Sequence, residues 1–235
     1  AASPGEARLL SLVRLIEGCL PRPRFPGVYG SLLAIYNAQV KSLLQQRPGA
    51  LTSPDDVLAI SLEKGGTSVL ADGYLVAGDL AAADEEFCFG FGTFLQLADD
   101  LQDVAEDTRC GLRTLFTDAA GRAGREAAAA RLGNYLAAVV ARARSGATPE
   151  RSALCDAIEG GLALMFRGSV GKHPGQFPRR YIRTAKHGFP VRFSYLERLR
   201  KRLGEGMPAG GTRLADLDPG LVALMALSSR AFTLD

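Results

Sequence analysis

Seven residues between positions 92 and 107 have the types and spacing to do chemistry together: Gly92, Gln96, Asp99, Asp100, Asp103, Glu106 and Asp107. On a helix, at about 100° per residue, they fall within about 120° of arc, while Phe94, Leu97, Ala98, Leu101, Val104 and Ala105 take the opposite side. Asp99, Asp103 and Asp107 then stack at i,i+4, each like-charge pair costing about 0.2–0.5 kcal/mol. They also crowd a helix C-terminus, where the macrodipole disfavours negative charge. A solvated amphipathic helix gives the same apolar stripe, but it usually mixes its charges so that neighbours attract. An unbroken row of acids better fits a hard divalent cation such as Mg2+, which takes carboxylate oxygens on one side and keeps waters and phosphate oxygens on the other.

The elements that must position this row are helical throughout. Alternating strand patterns bounded by Asn-Gly or Asp-Gly turns are missing, so the fold class is all-α. Ser3-Pro4-Gly5-Glu6 opens a first helix that Pro21 closes, and a second runs from about Val28 to Gln46. Ser53-Pro54 starts a third, continuing towards Gly78 through Gly65-Gly66, where a weakened or kinked helix is expected. The fourth runs from near Ala82 to about Asp107 and carries the acids. A fifth covers about Ala119 to Arg144, and Thr148-Pro149 starts a sixth. Further helices are expected within Phe177 to Lys186, over Pro190 to Leu203, and from Asp218-Pro219.

With 235 residues, 47% of them apolar, the chain can bury the core of one domain spanning 1–235. Four scattered cysteines exclude a disulfide scaffold, and no apolar run supports a membrane span or a signal peptide, so a cytoplasmic location is expected. A net charge of +3 does not argue for nucleic acid. The charge is nevertheless segregated: ten acids and no Lys or Arg between Gly65 and Thr108, then ten Lys or Arg against Glu197 alone between Lys172 and Arg202.

At the acidic helix the chain resembles the class I isoprenoid synthases. Gly92, Gln96, Asp99-Asp100, Asp103, Asp107 and Gly111 match the second aspartate-rich motif of the trans-prenyl diphosphate synthases, and Gln96-Leu97 through Glu106-Asp107 also looks like that of the squalene and phytoene synthases. The resemblance implies an isoprenoid synthase helical bundle and Mg2+ as cofactor, held by Asp99, Asp100, Asp103 and Asp107. It implies a prenyl diphosphate substrate, ionised with the help of Asp99, Asp103 and Lys64. Lys64, Thr67 and Gln96 would contact that substrate, with Lys64 and Thr67 standing where head-to-tail synthases hold diphosphate. A homodimer, or association with another synthase chain, follows by the same analogy. Head-to-tail prenyl transfer is the activity expected first; a terpene cyclase or head-to-head synthase is the alternative. The first aspartate-rich motif of the family, which lies on an earlier helix, has no counterpart here, and the expectation is a bundle lacking those N-terminal helices. A noncatalytic partner subunit of a complete synthase is the reading from another class.

Phe89 shares the acidic arc and is placed to line a prenyl pocket and limit its depth. Downstream, Arg179, Arg183, Lys186 and His187 share one helical face, and Arg198, Arg200, Lys201 and Arg202 add charge beyond it. Guanidinium groups suit phosphate oxygens through bidentate bonds, so Arg179 and Arg183 are candidate substrate contacts. A solvated basic face and a peripheral contact with anionic lipid remain open for this segment. His173 and His187 are too far apart for a zinc pair, and neither a Gly-x-Ser-x-Gly elbow nor a phosphate loop occurs.

Overall fold

The computed structural model describes residues 4–187, together with 189, 192, 194, 195 and 198. Eight α-helices, and no strand, are found among these residues: α1 (Pro4–Cys19), α2 (Pro26–Ser42), α3 (Pro54–Ala77), α4 (Ala82–Gln102), α5 (Val104–Cys110), α6 (Gly121–Arg144), α7 (Pro149–Lys172) and α8 (Arg179–His187). The capping residue Ser3, most of the helix expected over Pro190–Leu203, with Arg200, Lys201 and Arg202, and the helix from Asp218 lie outside the described residues.

The helix starts follow local chemistry. Ser53 Oγ accepts the Asp55 backbone N–H and Thr148 Oγ1 accepts that of Arg151, each with Pro at the next position. Gly78 ends α3 at φ +77° and Gly111 ends α5 at φ +70°, left-handed conformations open to glycine without strain. The second predicted helix is α2 plus a short 3-10 turn, Leu43–Gln46.

The core lies between α4, α6 and α7. Phe94, Leu97 and Leu101 of α4 meet Leu132, Leu136 and Val140 of α6, with Leu162 and Val170 of α7 beside them. Burying each such side chain stabilises the fold by about 1.5–3 kcal/mol. A smaller cluster of Leu51, Val57 and Ile60 sits at the start of α3. By contrast α1 buries none of its leucines: Leu9, Leu10, Leu12 and Leu15 are all exposed.

Two expectations are corrected. Gly65-Gly66 does not interrupt α3, which runs unbroken for 24 residues. The glycines instead let α3 and α4 touch. A Cβ on Gly65 would overlap the Gly92 carbonyl oxygen, a Cβ on Gly92 would overlap that of Gly65, and Gly66 lies flat against the Phe89 ring. The acidic helix, in turn, is not continuous to Asp107. It bends at Asp103 (φ −103°, ψ 10°), which ends α4 and precedes α5. The hydrogen-bond ladder passes through the bend, from Asp103 N–H to Asp99 O and from Asp107 N–H to Asp103 O, each at 2.9 Å.

Candidate functional site

Because α3 and α4 make the most extensive helix contact among the described residues, one flank of the acidic arc is a packed seam. Down this seam run Phe89 over Gly66, Gly92 against Gly65, Thr93 Oγ1 donating to Leu62 O at 3.2 Å, and then Gln96 and Asp100. Asp100 is buried. Its Oδ1 accepts from Gln96 Nε2 at 2.8 Å and its Oδ2 from Ser61 Oγ at 3.0 Å, and Ser61 Oγ accepts from Gln45 Nε2 at 3.1 Å. Burial pushes the Asp100 carboxyl up to about 6, against the opposing pull of its two hydrogen bonds and the nearby charge of Lys64. The structure thus places Gln96 and Asp100 on each other and on α3.

The bend at Asp103 gathers the remaining acids around the exposed end of that seam. Asp99 is exposed, and Asp103 and Asp107 are half-buried. Asp107 is pushed up to about 7, first by burial and then by the charges of Asp100, Asp103, Asp99 and Glu106. The four predicted metal-binding aspartates therefore repel one another at one location, although α4 and α5 are separate helices.

Cations reach this location from two other helices. Lys64 of α3 acts on Asp100, as above, and Lys172, the last residue of α7, donates to Asp103 Oδ1 at 3.0 Å. The next residue, His173, places Nε2 2.8 Å from the Gln102 carbonyl oxygen. The side-chain oxygen of Gln102 is buried without a hydrogen-bond partner among the described residues. Sequence reasoning missed Lys172 as a site residue: it opens the basic block, but 69 residues separate it from Asp103 and no motif links the two.

The other predicted residues lie apart from this cluster. Thr67 is buried, and its hydroxyl donates to Glu63 O at 2.7 Å in the preceding helical turn. Phe89 lines a cavity of about 1040 Å³ between the N-terminal half of α4 and the C-terminal half of α6, with Leu70, Gly90, Tyr135, Val139 and Arg142 among its walls. At 1.5 Å per residue this end of α4 is about 15 Å from Asp99. Arg179 and Arg183 line a separate small pocket on α8.

The donor set suits Mg2+ in kind: hard carboxylate oxygens, one of them, on Asp107, pushed up to about 7 by burial and then by its acidic neighbours. Among the described residues no three His, Cys, Asp or Glu side chains converge as a ready-made metal group. Magnesium sites shared with phosphate need only one or two protein carboxylates, the rest of the octahedron being water and substrate oxygen. Among the described residues no helix is long and apolar enough to cross a membrane. Comparison of the chain with protein-family models, with curated proteins and with solved structures finds no match.

Proposed function

We propose that this chain is a Mg2+-dependent class I isoprenoid synthase domain that ionises an allylic prenyl diphosphate, with head-to-tail prenyl transfer as its reaction. The observation that carries the proposal is the mutual repulsion of Asp99, Asp103 and Asp107 about the α4–α5 bend, with Lys64 of α3 and Lys172 of α7 as the nearby cations. Charges of both signs at one place are what a metal–diphosphate ligand requires.

In this proposal Asp99 and Asp103 hold the metal, with Asp107 completing the acidic rim. Bound magnesium supplies positive charge to the departing diphosphate. Lys64 and Lys172 bind its remaining oxygens, and Lys172 exchanges its carboxylate partner for a phosphate one. Asp100, tied by Ser61 and Gln96, holds the backbone of α4 in register with α3 so that Asp99 and Asp103 face outward. No side chain need act as a strong base, because diphosphate itself can take the proton.

The test is incubation of the full-length gene product with Mg2+ and labelled geranyl or farnesyl diphosphate, with and without isopentenyl diphosphate. Elongation that needs isopentenyl diphosphate and is lost in Asp103→Asn supports the proposal. Products formed without it would point to a cyclase or head-to-head synthase. A second reading, a noncatalytic partner of another synthase, is favoured by the four exposed leucines of α1. No diphosphate release, alongside tight binding to a complete synthase, would establish that reading instead.

A further inference from the structure

The strongest cationic feature outside the acidic centre is α8. Phe177 and Ile182 are buried, and Phe177 stacks on Tyr181 with ring centroids 5.5 Å apart, so the apolar flank of this short helix is pinned to the bundle. Its basic residues then divide into two groups. Arg180 turns towards α6 and pairs with Glu126 at 3.1 Å. Arg179, Arg183 and Lys186, one turn apart along the helix, line a pocket of about 340 Å³ whose other walls are Pro174 and Ile182.

Arg179 and Arg183 are exposed and make no ion pair among the described residues, whereas their neighbour Arg180 does. Like charges at i,i+4 on a helix repel, and among the described residues no acid pairs with either arginine to offset the repulsion. Two guanidinium groups over a shallow floor match the planar, bidentate geometry of phosphoryl oxygens, and an ammonium one turn on adds a point charge. None of the aspartates of the acidic centre, nor Lys64 or Lys172, lines this pocket.

We propose that Arg179, Arg183 and Lys186 form a metal-independent binding site for a phosphoryl group, separate from the acidic centre. It does not rest on the prenyl-synthase reading. Two sources present the same chemistry, a free phosphorylated molecule and the headgroup of an anionic lipid.

The test uses the full chain in excess EDTA, which removes any contribution from metal-held phosphate. One arm titrates inorganic pyrophosphate by calorimetry; the other sediments the protein with vesicles of phosphatidylcholine, alone or containing phosphatidylglycerol. The Arg179→Gln/Arg183→Gln double variant is expected to bind about tenfold more weakly or worse, as loss of charge-assisted hydrogen bonds implies. Both arginines are exposed, so circular dichroism and melting should match the parent. Arg8→Gln/Arg14→Gln, which removes the same charge from α1, should bind as the parent does. Pyrophosphate binding lost in the α8 variant identifies a free phosphate ligand; vesicle binding alone, lost in the same variant, identifies a lipid headgroup. Binding in neither arm overturns the proposal. So does an equal loss in the α1 variant.

Discussion

Lys172 at the end of α7 donates to Asp103 at the bend between α4 and α5, Nζ to Oδ1 at 3.0 Å, tying the acidic centre to a helix 69 residues further along the chain. The pair is partly exposed, so its contribution to stability is small, about 0–1 kcal/mol. Its position matters more: under the proposed function the ammonium stands where a diphosphate oxygen would approach Asp99 and Asp103.

Replacing Lys172 by Gln should therefore leave the melting temperature nearly unchanged and weaken prenyl diphosphate use. A lost charge-assisted bond is about 1.5–3 kcal/mol, or a fall of about 10- to 150-fold in kcat/KM. Steady-state kinetics beside a thermal melt separate the two effects. Unaltered kinetics would remove Lys172 from the site.

The Gly65–Gly92 crossing predicts a contrast between glycines. In Gly92→Ala the new methyl meets the Gly65 carbonyl oxygen and the Val69 side chain, backbone that cannot swing aside. Overpacking of this kind costs about 1–3 kcal/mol. Gly30, on the exposed side of α2, has open space where a Cβ would stand, with nothing within 4 Å, and Gly30→Ala should gain about 0.5–1 kcal/mol from helix propensity alone. Chemical denaturation of both variants measures the difference, and equal effects would contradict the close crossing.

The pH dependence of stability follows from Asp107 and Asp100, whose folded-state affinities for a proton exceed the unfolded value of 3.8. The folded chain then binds more protons than the unfolded one, so this contribution is fullest below about pH 4 and is lost as pH rises through about 6 for Asp100 and about 7 for Asp107. Asp107→Asn should remove its share of that loss. Asp107 is only half-buried, so screening limits the gain above about pH 8 to about 1 kcal/mol, about 2–4 °C in melting temperature, with none near pH 4. Added Mg2+ should stabilise the parent over the same alkaline range and the variant less. Melting curves across pH, with and without the metal, check both statements.

The parts of the fold that local chemistry determines were legible in the sequence. Ser53-Pro54 and Thr148-Pro149 start helices where their side chains can cap, and the left-handed Gly78 and Gly111 end them. The bend at Asp103 was not legible, since the hydrogen bonds on either side of it are those of an ordinary helix and nothing in the residue types marks a break. Gly65-Gly66 misled for a related reason. Propensity counts what a glycine costs its own helix, whereas here its effect is on the neighbour it admits. The acids of the site could be grouped because they lie one turn apart on a single segment. Lys172 could not, because only the packing of α7 on α4 brings it there.

Phe89 joins the seam to the large cavity, and its removal distinguishes two roles for that space. The ring lies against Gly66 and is a little over one-third exposed, so Phe89→Ala exposes the close crossing, enlarges the cavity and should cost about 1–2 kcal/mol, below the range for a fully buried phenylalanine. If the prenyl chain extends along α4 from the acidic centre into this cavity, the variant should release longer products than the parent, read by chromatography of the hydrolysed alcohols. If the packed α3–α4 seam closes that route, stability falls by the same amount while product length stays fixed. The second outcome would assign the cavity to another ligand and place the floor of the prenyl site nearer the α4–α5 bend.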